Sequence, residues 1–163
     1  MKVYISGKIG EEVLSEDTRK KFAKAEEMLK AKGFETFNPT TSGLGAHAES
    51  LAKAADYKTS FYQEILLCDL TQLAQCDAIY MLADWSKSPG ANVELDFAVA
   101  TGKQRFWELE EDAMVFCDEY RYYNDVWLPL DEGKHKMQKA IAGKIKRLMK
   151  ADLIEFDEYE EMS

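Results

Sequence analysis

Histidine, cysteine and proline are scarce in this chain, at 2, 3 and 3 of its 163 residues. The two histidines, His47 and His135, have no metal-ligand or triad partner at a recognisable spacing, so no metal site is expected. Cys68, Cys76 and Cys117 show no metal-like spacing, and an odd number cannot all pair. Reduced thiols in a cytoplasmic protein are the expectation. Positive charge is also short: 21 Lys and Arg face 30 Asp and Glu, for a net charge of −9. A nucleic-acid polymer is therefore excluded as a partner, because little here would displace counterions from its phosphates. A GxGxxG fingerprint is lacking, and "SGKIG" is not a Walker loop, so a nicotinamide, flavin or other cofactor is not expected. Long apolar runs are absent, and "MKVYISGKIG" is too short and polar for a signal peptide. The reading is a cytoplasmic protein without a membrane partner.

What is present is ordinary globular material, 46% hydrophobic and 31% charged, enough for one domain over residues 1–163 with a real core. "KVYIS" reads as a first buried strand ending at Gly7. From Ser15 the pattern becomes helical, with Phe22, Ala25 and Leu29 on one face and Gly33 as a stop. "FETFNP" is a second strand cut off by Pro39. Residues 40–56 read as a long loop with some helix. A further helix takes its apolar face from Phe61, Ile65, Leu66, Leu70 and Leu73. "AIYML" is the continuous apolar run of a strand buried on both sides. A helix over 89–101 stops at Gly102, and "QRFWEL" is the next strand. This alternation predicts an α/β fold with a doubly wound parallel sheet of about five strands and helices on both faces. Residues 107–163 form an extension, with an amphipathic helix over 134–151 and an acidic tail.

In open α/β sheets, ligands bind beyond the carboxyl ends of the strands. Ser6-Gly7-Lys8 with Gly10, Asn38-Pro39, and the segment Asp84 to Glu94 are all brought there. Ser88 reads as an N-cap, Pro89 as the first helical residue, and Gly90 as a point of close backbone approach. Such a helix start attracts an anion. Glu94 follows about one and a half turns later, where the helix dipole would help keep it ionised. There it is either a nucleophile for an anomeric carbon or a surface carboxylate satisfied by the dipole. Asp69, at the edge of an apolar stripe, is either a used acid or an edge residue. Asp77 reads as a cap on the turn into "AIYML", and Tyr4 alone reads as core.

Together, "KVYISGKI", "DLTQLAQCDAIYML" and "SPGANVELDFAVATGK" resemble the nucleoside 2-deoxyribosyltransferase-like superfamily, over residues 1–106. The resemblance implies a flavodoxin-like sheet and a homodimer or larger homo-oligomer. It also implies base exchange between 2'-deoxyribosides, or hydrolysis of the N-glycosidic bond of deoxynucleoside 5'-monophosphates. Glu94 matches the nucleophile that attacks C1'. Asp69 matches the acid that contacts the sugar hydroxyl or helps protonate the leaving base, and Tyr4 matches a tyrosine that positions the nucleophile. Ser88 matches a phosphate-contacting serine, Gly7 and Gly90 match backbone positions near sugar and phosphate, and Lys8 and Asn92 complete the implied substrate-binding set. The hydrolases carry a serine and an arginine where Lys8 and Gly10 stand here, and Lys8 would supply only a point charge.

The expected function is N-glycosidic bond cleavage or transfer on a 2'-deoxynucleoside or its 5'-monophosphate, with no metal or redox cofactor. The alternatives are a non-catalytic nucleotide-binding or sensing module and an NAD glycohydrolase. A lysine or arginine paired with Glu94 at the pocket floor would favour the sensing module.

Overall fold

The computed structural model describes residues 1–9, 14–108, 114–116, 120–123 and 126–129. In chain order the elements are β1 (Lys2–Ser6), α1 (Glu16–Ala31), β2 (Glu35–Phe37), α2 (Leu44–Ala54), α3 (Phe61–Ala74) and β3 (Ala78–Met81). A 3-10 turn at Trp85–Lys87 leads to α4 (Pro89–Ala100), then β4 (Gln104–Glu108), β5 (Met114–Phe116), β6 (Tyr120–Tyr123) and β7 (Val126–Pro129). One compact unit spans Met1–Gln104, and a second begins at Arg105.

The protein is α/β, with a flavodoxin-like parallel sheet. β1 pairs in parallel with β2 on one side, Tyr4 opposite Phe37, and with β3 on the other, Ser6 opposite Met81. Within the first unit the order is β2-β1-β3, and Gln104, the first residue of β4, donates its N–H to Asp77 O. β3 is buried at all four positions, as a continuous apolar run in a covered parallel sheet should be. Period-two alternation sends Tyr4 and Ser6 to the face that meets α4, while Val3 and Ile5 point the other way. All four are buried, so both faces of β1 are covered.

The helix boundaries follow local chemistry. Ser15 caps α1 by accepting from Thr18 N–H, and Phe22, Ala25 and Leu29 form its buried stripe. Gly33, at φ 91°, takes the left-handed turn that releases the chain into β2. Ser60 caps α3 by accepting from Gln63 N–H. Asp77 accepts from Lys2 N–H at 2.9 Å, fixing the turn into β3 against the start of β1.

Three expectations need correction. Most of residues 40–56 is helix: α2 runs eleven residues on an alanine-rich stretch with high intrinsic helix propensity. The α3 stripe is displaced, because Phe61 is 40% exposed while Glu64 is buried. The fifth strand is not parallel. Within the second unit β5 runs antiparallel to β4, Phe106 opposite Phe116, as a link too short for a helical crossover requires. β6 and β7 form a separate antiparallel pair. The helix expected over 134–151, the acidic tail, Gly10, Cys117 and His135 lie outside the described residues.

Candidate active site

At the carboxyl end of the sheet, the loops after β1 and β3 are tied together. Leu82 N–H donates to Ser6 O at 2.8 Å, and Lys8 N–H donates to Asp84 Oδ1 at 3.0 Å. Lys21, from α1, donates to Lys8 O and pairs with Asp84 Oδ2. A Cβ on Gly7 would lie 2.6 Å from Leu82 Cδ1 and 2.9 Å from its Cβ. Only glycine lets the two loops close to this distance. After β2, buried Asn38 accepts from both the N–H and the hydroxyl of Thr40, and its amide nitrogen has no partner.

The α4 entrance forms as the sequence suggested. Ser88 Oγ accepts from Ala91 N–H at 3.1 Å, and Pro89 occupies the first helical position. Asn92 donates its side-chain amide to Ser88 O at 2.8 Å, which braces the turn from behind. Its N–H groups therefore serve the helix entrance. A Cβ on Gly90 would lie 3.3 Å from Tyr62 Oη, so the starts of α3 and α4 stand side by side there. Lys8 is exposed at the rim.

Glu94 is buried one and a half turns inside this entrance, at 6% exposure. Tyr4 Oη donates to Glu94 Oε2 in a short hydrogen bond, and Ser6 Oγ donates to Oε1 at 3.0 Å. Tyr4 is itself held flat by stacking on Phe37, with ring centroids 5.2 Å apart. Asp69 reaches the same neighbourhood from α3, and its Oδ1 is buried without a hydrogen-bond partner. Burial pushes the Glu94 carboxyl up to about 8; the Tyr4 bond opposes this, Asp69 adds to it, and Ser6 opposes it weakly. Burial pushes Asp69 up to about 7. The Tyr4 phenol is driven well above its usual range, first by burial and then by Glu94 and Asp69.

The expectation that the helix dipole keeps Glu94 ionised is thus reversed. The dipole acts on a group that the fold has desolvated, and desolvation is the larger effect. The groups acting on its carboxyl are Tyr4, Ser6 and Asp69, none of them a cation. Of the expected site residues, Glu94, Asp69 and Tyr4 come together, and Ser88, Gly90 and Asn92 form the adjoining helix start. Gly7 and Lys8 belong to the loop tied to Asp84. Ser6, expected only as part of the loop after β1, joins the site by donating to Glu94. Its signal was its phase, two residues from Tyr4 on the same strand face.

This arrangement sets two desolvated carboxyls in one neighbourhood, one held by two hydroxyls and the other with an unpartnered oxygen. Among the described residues, no group of three His, Cys, Asp or Glu is placed to hold a metal ion. No helix among them is long and apolar enough to cross a membrane. No curated protein matches the chain. A family model described as "Domain of unknown function (DUF4406)" matches residues 1–106, which carry every residue of the site.

Proposed function

We propose that this chain, which belongs to the DUF4406 family, cleaves or exchanges the N-glycosidic bond of a 2'-deoxynucleoside or its 5'-monophosphate through Glu94. The observation that carries the reading is the buried Glu94 carboxyl, gripped by Tyr4 and Ser6 and accompanied by Asp69 with an unpartnered oxygen. The resemblance of the core motifs to the deoxyribosyltransferase-like superfamily supplies the substrate class.

In this mechanism Glu94, once ionised, attacks C1'. The C1'–N bond breaks, and its electron pair leaves with the base, which takes a proton from Asp69. The product is a glycosyl ester on Glu94. Water or a second base then attacks C1' and frees the carboxylate, while Asp69 takes the proton back. Tyr4 and Ser6 fix the carboxyl plane, so the attacking oxygen is placed before substrate arrives. Ser88 Oγ accepts from the helix, but its O–H remains able to donate, so it suits a 5'-phosphate beside Gly90. Lys8 adds a cation at the rim. The same reading includes a homo-oligomer acting in the cytoplasm on small molecules only, which sedimentation and fractionation would check.

Chromatography of free bases tests the proposal, after incubation with nucleosides, their 5'-monophosphates and NAD, using wild type and Glu94→Ala. Base release from one deoxynucleotide that disappears in the variant supports hydrolysis. Release only on adding a second base supports transfer. Release of nicotinamide alone would move the substrate class to NAD. The raised titration of Glu94 gives weight to one further reading, a module that binds a nucleotide through a protonated carboxyl. Tight binding with no release from any member of the panel would favour it.

A further inference from the structure

A concavity of about 380 Å³ opens between α2 and α3. That is the lower end of the small-ligand range of about 300–1,000 Å³. Its walls include Leu44, Leu51 and Leu67, with His47 and Cys68 also at its lining. Glu64 lines it too and is 4% exposed. Its carboxylate accepts from the Tyr57 hydroxyl at 2.8 Å on Oε1 and from the Thr59 hydroxyl at 2.9 Å on Oε2. Among the described residues no Lys, Arg or His forms an ion pair with it. A carboxylate offers about four acceptor positions, and two of these four are filled. A buried charge without a counter-ion is costly, and the opening of an apolar cavity is where a visiting cation would relieve it.

We infer that the α2–α3 cavity binds a small amphipathic cation, an alkyl or arylalkyl amine whose ammonium meets Glu64 and whose apolar body lies against Leu44, Leu51 and Leu67. A neutral molecule of the same shape gains only the leucine contacts, and an anion is repelled. Glu64 takes no part in the Glu94 site, so this inference stands apart from the proposed reaction.

The test is titration of the full chain at neutral pH with phenethylamine, 2-phenylethanol and phenylacetate, followed by NMR or calorimetry. The amine is expected to bind at least about tenfold more tightly than the alcohol, the scale of one charge-assisted contact, with phenylacetate weakest. Glu64→Gln is expected to erase the preference while leaving the alcohol's affinity unchanged. Leu51→Trp and Leu67→Trp, at residues 38% and 51% exposed, are expected to fill the cavity and abolish binding of both. Equal binding of amine and alcohol overturns the inference, as does no binding of any probe. So does a preference that survives Glu64→Gln or is lost in Glu94→Gln. If Glu64→Gln does not fold, having lost its anchors to Tyr57 and Thr59, amine binding untouched by both tryptophans overturns it instead.

Discussion

Two carboxylates at the same end of the sheet have opposite surroundings. Asp84 is paired with Lys21, accepts from Lys8 N–H, and keeps 30% of its side chain in solvent. Glu94 is buried, is held by two hydroxyls rather than a cation, and sits beside a second acid. Asp84 is a clamp, joining the loops after β1 and β3 to α1 at low electrostatic cost. Glu94 is desolvated so that folding disfavours its ionised form, a pattern more often found at chemistry than at scaffolding. Charge alone does not separate the two; the partners do.

The sharpest way to break this contrast is to neutralise Glu94. Glu94→Gln keeps the shape; its amide oxygen can accept from one of the two hydroxyls, and its NH2 donates to the other, which turns its proton away. Base release should fall by about 10³-fold or more, since the nucleophile is gone. Stability should move the other way. The folded pKa of Glu94, about 8, lies above its ordinary 4.5. Between those values the unfolded chain has released a proton that the folded chain retains, so wild-type stability falls as pH rises through that window. The variant lacks this loss. Its advantage in thermal melts should be small near pH 4.5 and reach about 1–3 kcal/mol at pH 8. An unchanged gap between the two pH values would place Glu94 in the same class as Asp84.

Asp69→Asn is expected to cost about 10²-fold in kcat, the usual contribution of a general acid. In wild type, kcat/KM should be bell-shaped with its maximum between pH 7 and 8. The two limbs belong to the pair and not to either residue. The variant should lose the alkaline limb, because no acid remains to be deprotonated. Retention of the alkaline limb would remove Asp69 from the acid role. Tyr4→Phe should cost about tenfold, and in the Asp69→Asn background it should move the remaining acid limb upward, since the Tyr4 hydrogen bond opposes the rise of Glu94.

These predictions depend on what the sequence could and could not reveal. The α4 entrance was legible because Ser88, Pro89 and Gly90 act through local geometry, and β3 because a run of apolar residues needs no partner to be read. Gly33 and the stripe Phe22, Ala25, Leu29 were legible for the same reason. The titration of Glu94 was not. A helix dipole can be inferred from position along the chain, but desolvation depends on what covers the side chain. Glu64 was missed because it is a polar residue buried by distant elements, and nothing beside it in sequence marks that; the hold of Ser6 on Glu94 could be inferred only once its phase with Tyr4 was set beside α4. The direction of β5 was missed because alternation reports a strand but not its orientation. Asp69 stands between these cases: its edge position was visible, while its unpartnered oxygen belongs to the tertiary structure.

The smallest effect tests the clamp. The Lys21 and Asp84 side chains are about a third exposed, 32% and 30%, so their attraction is screened and limited to roughly 0.5–1 kcal/mol. Lys21→Met keeps most of the stem while removing the charge and the bond to Lys8 O. Melting should drop by about 2–4 °C, and added salt should narrow the difference between variant and wild type. The Glu94→Gln stability difference should be nearly insensitive to salt, because it comes from desolvation rather than from an ion pair in water. Turnover in Lys21→Met should change far less than in Tyr4→Phe, since Asp84 still accepts from Lys8 N–H and the loop keeps its Leu82 contact. A loss of turnover as large as that of Tyr4→Phe, with melting unchanged, would mean that Lys21 and Asp84 take part in the reaction and that the apparent clamp belongs to the site.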